Sequence, residues 1–126
     1  MENTKPKKKV STTARGNRYK SKTKEWYQRR GWTVQLTEFN TMRPIGGGKV
    51  VWTKRDVFGS DGISMNGKEI IFWNSKHISN METSTYSAEV SKGRKEFASY
   101  PFPPCVRKVL VVWVVGRRGD PDFIEI

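Results

Sequence analysis

Residues that can face a core recur at spacings of three and four in two parts of the chain, and each period predicts an amphipathic helix. The first helix is predicted from Arg18 to Arg30, and Gly31 ends it. The second is predicted from about Tyr86 to Tyr100, after a serine or threonine that can cap it. The core-facing positions are Tyr19, Thr23, Trp26 and Tyr27 in the first helix and Tyr86, Val90 and Phe97 in the second.

Runs of β-branched and aromatic residues predict strands elsewhere. Trp32 to Phe39 predicts a first strand and Lys49 to Thr53 a second, whereas NTMRPIGGG between them predicts a loop because it ends in three glycines. The unbroken apolar run from Val109 to Val115 is typical of a strand buried on both faces. Phe123 to Ile126 predicts a short edge strand.

The pair Asn66-Gly67 is the strongest local signal, because both residues tolerate the positive φ angles of a two-residue type I′ turn. It predicts a hairpin in which Met65 faces Lys68. With helices before and after this hairpin, the order of elements predicts an α/β or α+β sandwich. We therefore expect a mixed β-sheet with a central hairpin flanked by helices.

The predicted hairpin register brings an acid, an amide and an ammonium to one face of the sheet. Side chains alternate along a strand, so Asp61, Asn74 and Lys76 are expected to share a face, with Asp61 and Asn74 as diagonal neighbours roughly 7–8 Å apart. Their oxygens suit Mg²⁺, and Lys76 could then hold a phosphate or orient a water. The plainer alternative is that these polar residues end strands because strand ends reach water.

Two further residues near this face have open interpretations. Asp56 is a candidate for a second metal-binding carboxylate, and its alternative role is to form a turn. His77, the only histidine, is either a proton shuttle or a surface group.

The net charge is +12, with 24 lysines and arginines against 12 acidic residues, and this predicts a polyanionic partner. Nucleic acid comes before an anionic membrane, because no run approaches ~18 apolar residues and no secretory signal follows the basic N-terminus. We expect one domain over 15–126, preceded by a basic arm over 1–14 that is disordered alone. The predicted phosphate contacts are Lys7, Lys8, Lys9, Arg15, Arg18, Lys20, Lys22, Lys54, Arg55, Lys92, Arg94 and Lys95.

The motifs together resemble the PD-(D/E)-x-K nuclease superfamily, in particular the archaeal-type Holliday-junction resolvases and their phage relatives. The resemblance rests on Arg15-Gly16 before the first helix, RGW at its end, Asp61 within RDVFGSDGI, and Asn74-Ser75-Lys76 in place of the acid-x-Lys motif. It implies a restriction-endonuclease-like fold with Asp61, Asn74 and Lys76 as catalytic residues.

The same resemblance implies a cofactor, a substrate and an assembly. Mg²⁺ or Mn²⁺ would be held by Asp61, Asn74 and the backbone carbonyl of Ser75, with Asp56 as a further candidate. The implied activity is structure-selective cleavage of branched DNA by a homodimer, and the implied partner is branched or duplex DNA. We expect such a protein in the cytoplasm, that of the host if a phage encodes it.

Two residues depart from the family pattern and support an alternative. Asn74 stands where the family usually has an acid, and Lys20 where it often has a helical glutamate. An amide brings no charge to a metal, and a lysine opposes one. The alternative is a weakened nuclease-fold module that binds DNA or RNA through a basic face.

Overall fold

A computed structural model of the chain describes residues 12–79 and 83–126. Most of the predicted basic arm, including Lys7, Lys8 and Lys9, lies outside these residues. The elements are helix α1 (Thr12–Arg29), strands β1 (Thr33–Leu36), β2 (Phe39–Gly46), β3 (Lys49–Arg55), β4 (Gly62–Met65) and β5 (Ile70–Ile78), helix α2 (Thr83–Ala98), and strands β6 (Arg107–Val114) and β7 (Asp122–Glu125).

Five strands form one mixed sheet in the order β1-β4-β5-β6-β7. All neighbouring pairs are antiparallel except β5 and β6, which run parallel because α2 connects them as a crossover. Strand β6, which lies between β5 and β7, is buried from Val109 to Trp113, as its unbroken apolar run predicts, and β7 is the predicted edge strand. The predicted mixed sheet with a hairpin and flanking helices is confirmed.

Alternation along β5 and β6 divides the core between the two faces of the sheet. Trp73, Val111 and Trp113 belong to the cluster that includes Tyr19 and Tyr27 of α1. The opposite cluster joins Phe72, Leu110 and Val112 to Phe97 of α2. The end of the sheet nearest Asn74 and Lys76 is therefore accessible to side chains from both helices. Within the described residues, neither helix combines the length and apolar character needed to cross a membrane.

The predicted two-residue turn at Asn66-Gly67 is wrong. Met65 pairs with Ile70, so the loop has four residues. The Asn66 side chain explains the longer loop, because its Oδ1 accepts hydrogen bonds from the backbone N–H of Lys68 at 3.0 Å and of Glu69 at 2.8 Å. The register moves by two residues, and an even shift keeps every side chain on its predicted face.

The predicted loop NTMRPIGGG is also corrected. Most of it is strand β2, which pairs with β3 from Phe39↔Arg55 to Gly46↔Lys49 and forms a separate two-stranded sheet. The glycines make only the turn at its tip, where Gly46, Gly47 and Gly48 all have positive φ angles. We call the hairpin Phe39–Arg55 the β-ribbon.

Candidate active site

An open cleft of about 630 Å³ lies at the end of the sheet between α1 and α2. Three of its acidic lining residues are Glu38, Asp61 and Glu96, and its ammonium groups come from Lys20, Lys76, Lys92 and Lys95. The sequence-predicted residues Asp61, Ser75 and Lys76 therefore meet in one place. Asp56 and His77 line the same cleft.

The loop before β4 carries Asp61 and is held against α2. Gly59 has a φ angle of 74°, and a Cβ atom there would lie 2.5 Å from the backbone oxygen of Glu96. Only glycine permits this approach without a shift of the backbone. The backbone N–H of Gly59 donates to Oδ1 of Asp56 at 3.0 Å, so Asp56 has the turn-forming role that was its alternative.

The Asp61 carboxylate is fixed by strand β5. Its Oδ2 accepts a hydrogen bond from the backbone N–H of Ser75 at 2.9 Å, and its own N–H donates to Oδ1 of Asn74 at 2.7 Å. The side chain is 14% exposed. Asp61 is thus held in one orientation with its other oxygen, Oδ1, 4.0 Å from Nζ of Lys20.

Asn74 is buried and its amide is fully engaged. While Oδ1 accepts from Asp61, Nδ2 donates to the backbone oxygen of Gly59 at 2.9 Å and to Oε2 of Glu96 at 2.7 Å. An aspartate could not make either of the last two bonds, because a carboxylate has no donor. The amide at this position therefore ties β5 to both the Asp61 loop and α2.

Glu38 is a site residue that the sequence reasoning missed. It follows β1, where the backbone N–H of Thr37 donates to the backbone oxygen of Asp61 at 3.0 Å and extends the β1–β4 pairing. The Glu38 carboxylate forms ion pairs with Lys20 and with Lys54, the latter at 3.0 Å. It also lies close enough to the Asp61 carboxyl group for each acid to shift the pKa of the other.

The pKa values of the two carboxyl groups shift in opposite directions. Burial and the hydrogen bond with Glu38 raise the pKa of Asp61 from 3.8 to about 7. Burial opposes ionisation of Glu38 as well, but hydrogen bonds with Asp61, Lys20 and Lys54 lower its pKa from 4.5 to about 2. Asp61 is the more buried of the two acids, so it is the one that keeps its proton to higher pH.

Lys76 and His77 extend from β5 to opposite sides. Nζ of Lys76 donates to Oε1 of Glu96 at 2.5 Å, and its side chain is 13% exposed. The ring of His77 stacks on Tyr19 with centroids 5.0 Å apart, and burial lowers its pKa from 6.5. Glu96 is the second residue that the sequence reasoning missed, since it lies on α2, far from the hairpin in sequence.

The predicted phosphate-binding residues fall on different surfaces. Lys20, Lys92 and Lys95 line the cleft, and Lys54 borders a smaller one of about 260 Å³ that also contains Glu38 and Asp61. Lys22 instead lies 5.0 Å over the ring of Trp113, and Arg94 borders a separate cleft beside α2. Arg15, Arg18 and Arg55 are exposed.

A divalent ion at this site would depend on two carboxylates. In the parts of the chain that the structure describes, no group of three or more histidine, cysteine, aspartate or glutamate side chains could hold a metal. Mg²⁺ needs only one or two protein carboxylates when waters and phosphates complete its shell. The Glu38–Asp61 pair fits that requirement, because both carboxylates already lie beside one positive group, the ammonium of Lys20.

Comparison with known proteins finds neither a matching family model nor a matching curated protein. Among solved structures, the chain is similar to Hjc, a Holliday junction resolvase from the archaeal hyperthermophile Archaeoglobus fulgidus. The two are 11% identical, the alignment covers 86% of this chain and 73% of that chain, and the TM-score is 0.46. At this level of similarity the activity has to be argued from the side chains of the site.

Proposed function

We propose that the chain is a Mg²⁺- or Mn²⁺-dependent endodeoxyribonuclease that cuts branched DNA. The observation that carries the proposal is that the Asp61 and Glu38 carboxylates line one cleft and both approach the Lys20 ammonium, with Lys76 in the same cleft and Lys54 paired to Glu38 beside it. Carboxylate pairs suit a divalent ion, and surrounding ammonium groups suit the phosphodiester that such an ion would act on. The proposal therefore gives a role both to the carboxylates and to the ammonium groups of the site.

In this proposal Asp61 and Glu38 hold the ion, together with the backbone carbonyl of Ser75. A bound divalent ion supplies Lewis-acid activation of a phosphate oxygen and a water. Ligation by Asn74 and by Asp56, expected from the sequence, stays a prediction. The role supported for Asn74 by its hydrogen bonds is to position Asp61 and Glu96.

Lys76 is the residue proposed to contact the scissile phosphate. Its ammonium is paired with Glu96 in the free protein, so an incoming phosphate oxygen would share or replace that partner. Lys92 and Lys95 line the same cleft and would bind flanking phosphates without reading bases. Selectivity for a branch would then come from DNA shape, and a homodimer would place two such clefts on one junction.

One observation favours a second function, that of a nucleic-acid-binding module without cleavage. The Lys20 ammonium already neutralises Glu38 and lies 4.0 Å from Asp61, where it opposes a metal. If the Lys20 ammonium is not displaced by a metal, the basic surface would bind DNA or RNA, and the two carboxyl groups would only stabilise the fold.

The test is incubation of labelled four-way junction, flap and linear duplex with the protein in Mg²⁺, Mn²⁺ or EDTA. We expect metal-dependent cuts that favour the branched substrates, and their loss by at least 100-fold in Asp61→Asn, which keeps the shape but removes the charge. Asp120→Asn is the matched control, since Asp120 is 67% exposed on the β6–β7 turn. Binding without cuts in any metal would establish the second function instead.

A further inference from the structure

The β-ribbon is an exposed arm that touches the site only at its base, through residues such as Lys54. It forms its own two-stranded sheet, and every residue of β3 is exposed. Isolated two-stranded hairpins are marginally stable in water. Large apolar side chains on it are nevertheless open to solvent, with exposed fractions of 49% at Phe39, 54% at Met42, 54% at Ile45, 46% at Val50, 39% at Val51 and 66% at Trp52. An exposed apolar surface of this kind marks an interaction site.

The charges of the β-ribbon indicate the partner. Between Phe39 and Arg55 the sequence contains four basic residues, Arg43, Lys49, Lys54 and Arg55, and no aspartate or glutamate. A second β-ribbon would bring the same cations face to face, and like charges at an interface are unfavourable. A polyanion with apolar surface between its charges is complementary to this composition, and duplex DNA has both.

The two faces of the β-ribbon differ in their relation to the active site. The register Met42↔Trp52 and Asn40↔Lys54 places Met42, Trp52 and Lys54 on one face. Lys54 on that face pairs with Glu38 at 3.0 Å. The residue before the β-ribbon is Glu38 and the residue after it is Asp56, so its base is part of the cleft that contains Asp61.

We infer that the β-ribbon lies in a groove of the DNA duplex adjoining the phosphate held in the cleft, with Trp52 and Met42 against sugars and bases and Arg43 and Lys49 on phosphates. A two-stranded ribbon fits the major groove, which is about 12 Å wide. The inference rests on the proposed function for the identity of the ligand. It adds a duplex-binding element that acts whether or not the cleft cuts.

The first test measures phosphate contacts in EDTA, where no cleavage occurs. Each contact contributes a slope of about −0.9 to the dependence of log K on log salt concentration, so Arg43→Ala/Lys49→Ala should make the slope for a duplex less steep by about 1.8. Lys68→Ala/Arg118→Ala removes the same charge from turns outside the β-ribbon and should leave the slope unchanged. An equal change in both double variants would overturn the inference.

The second test identifies what touches the β-ribbon. Trp52 is replaced by the photo-crosslinker p-benzoylphenylalanine, and Phe123, which is 40% exposed on edge strand β7, receives the same replacement as a control. We expect DNA crosslinks from position 52 and few from position 123. Protein–protein crosslinks from position 52, or equal DNA crosslinking from both positions, would overturn the inference. Crosslinks at 52 without metal-dependent cuts would retain the β-ribbon interface while refuting the nuclease.

Discussion

The ammonium of Lys20 and a divalent ion compete for the same two carboxylates in our proposal. Lys20 pairs with Glu38 and lies 4.0 Å from Asp61. Lys20→Gln removes this charge, so we expect Mn²⁺ to bind about tenfold more tightly, which is ~1.4 kcal/mol. Isothermal titration of both proteins measures the difference. Lys24→Gln, one turn further along α1, should leave the affinity unchanged; equal or weaker binding in Lys20→Gln would show that the lysine does not oppose the metal.

The raised pKa of Asp61 makes the stability of the metal-free protein depend on pH. The pKa of Asp61 is about 7 when folded and 3.8 ordinarily, so between these values the folded chain binds more protons than the unfolded chain. Its contribution is complete below pH about 4 and is lost as the pH rises to about 7. The Asp61→Asn variant has no carboxyl group to ionise at this position, so its stability does not fall for this reason.

The measurement is urea unfolding in EDTA at pH 5 and pH 8. We expect the free energy of unfolding of the natural protein to fall by more than that of Asp61→Asn between the two pH values, because the other titrating groups are common to both proteins. Parallel changes in the two proteins would mean that Asp61 is already ionised at pH 5.

At the scale of single residues, the sequence could predict only those members of the site that lie on the hairpin. Alternation of side chains along β5 predicts that Lys76 and Asn74 share a face with Asp61. The wrong turn does not change this prediction, because the register moves by two residues and an even shift keeps each side chain on the same face. Glu38 depended on pairing between β1 and β4, which are separated by the β-ribbon, and Glu96 on packing of α2. The sequence placed Glu38 inside the predicted strand from Trp32 to Phe39, and only the earlier end of β1 at Leu36 reveals it as a residue beyond the strand.

At the scale of elements, both helices were predicted from their period, although α1 begins six residues earlier than expected, at Thr12. The β-ribbon was missed in part because its apolar residues lie on both faces and give no clean alternation. Gly93 illustrates a different limit. Its low helix propensity predicts that it weakens α2. The structure gives a packing reason for it, because a Cβ atom at Gly93 would lie 2.4 Å from the Leu110 side chain.

Alanine substitutions at two helical glycines, Gly93 in α2 and Gly16 in α1, compare a packed position with an open one. Gly93→Ala gains about 1 kcal/mol of helix propensity but overpacks the contact with Leu110, so we expect a net loss of ~1–2 kcal/mol in the free energy of unfolding. A Cβ atom at Gly16 in α1 would have no neighbouring atom within 4 Å, so Gly16→Ala should gain up to ~1 kcal/mol. Urea unfolding measures both. A stabilised Gly93→Ala would show that α2 can move away from β6.

At the scale of the whole molecule, the net charge of +12 predicted the class of partner but not where it binds. The structure divides the basic residues among the cleft, the β-ribbon and the surface near Trp113, where Arg29, Arg30, Arg117 and Arg118 lie. Composition carries no information about that division, because it depends on how the helices pack across the sheet. The expected homodimer stays a prediction.

The central claim is that Glu38 and Asp61 form the divalent-ion site of this fold. Isothermal titration of Mn²⁺ at pH 8 tests it most directly, with Glu38→Gln, Asp61→Asn and, as the matched control within the same cleft, Glu89→Gln. The account predicts one ion per chain for the natural protein and Glu89→Gln, and loss of binding in the other two variants. Undiminished binding in Glu38→Gln and Asp61→Asn, or no binding by the natural protein, would contradict it.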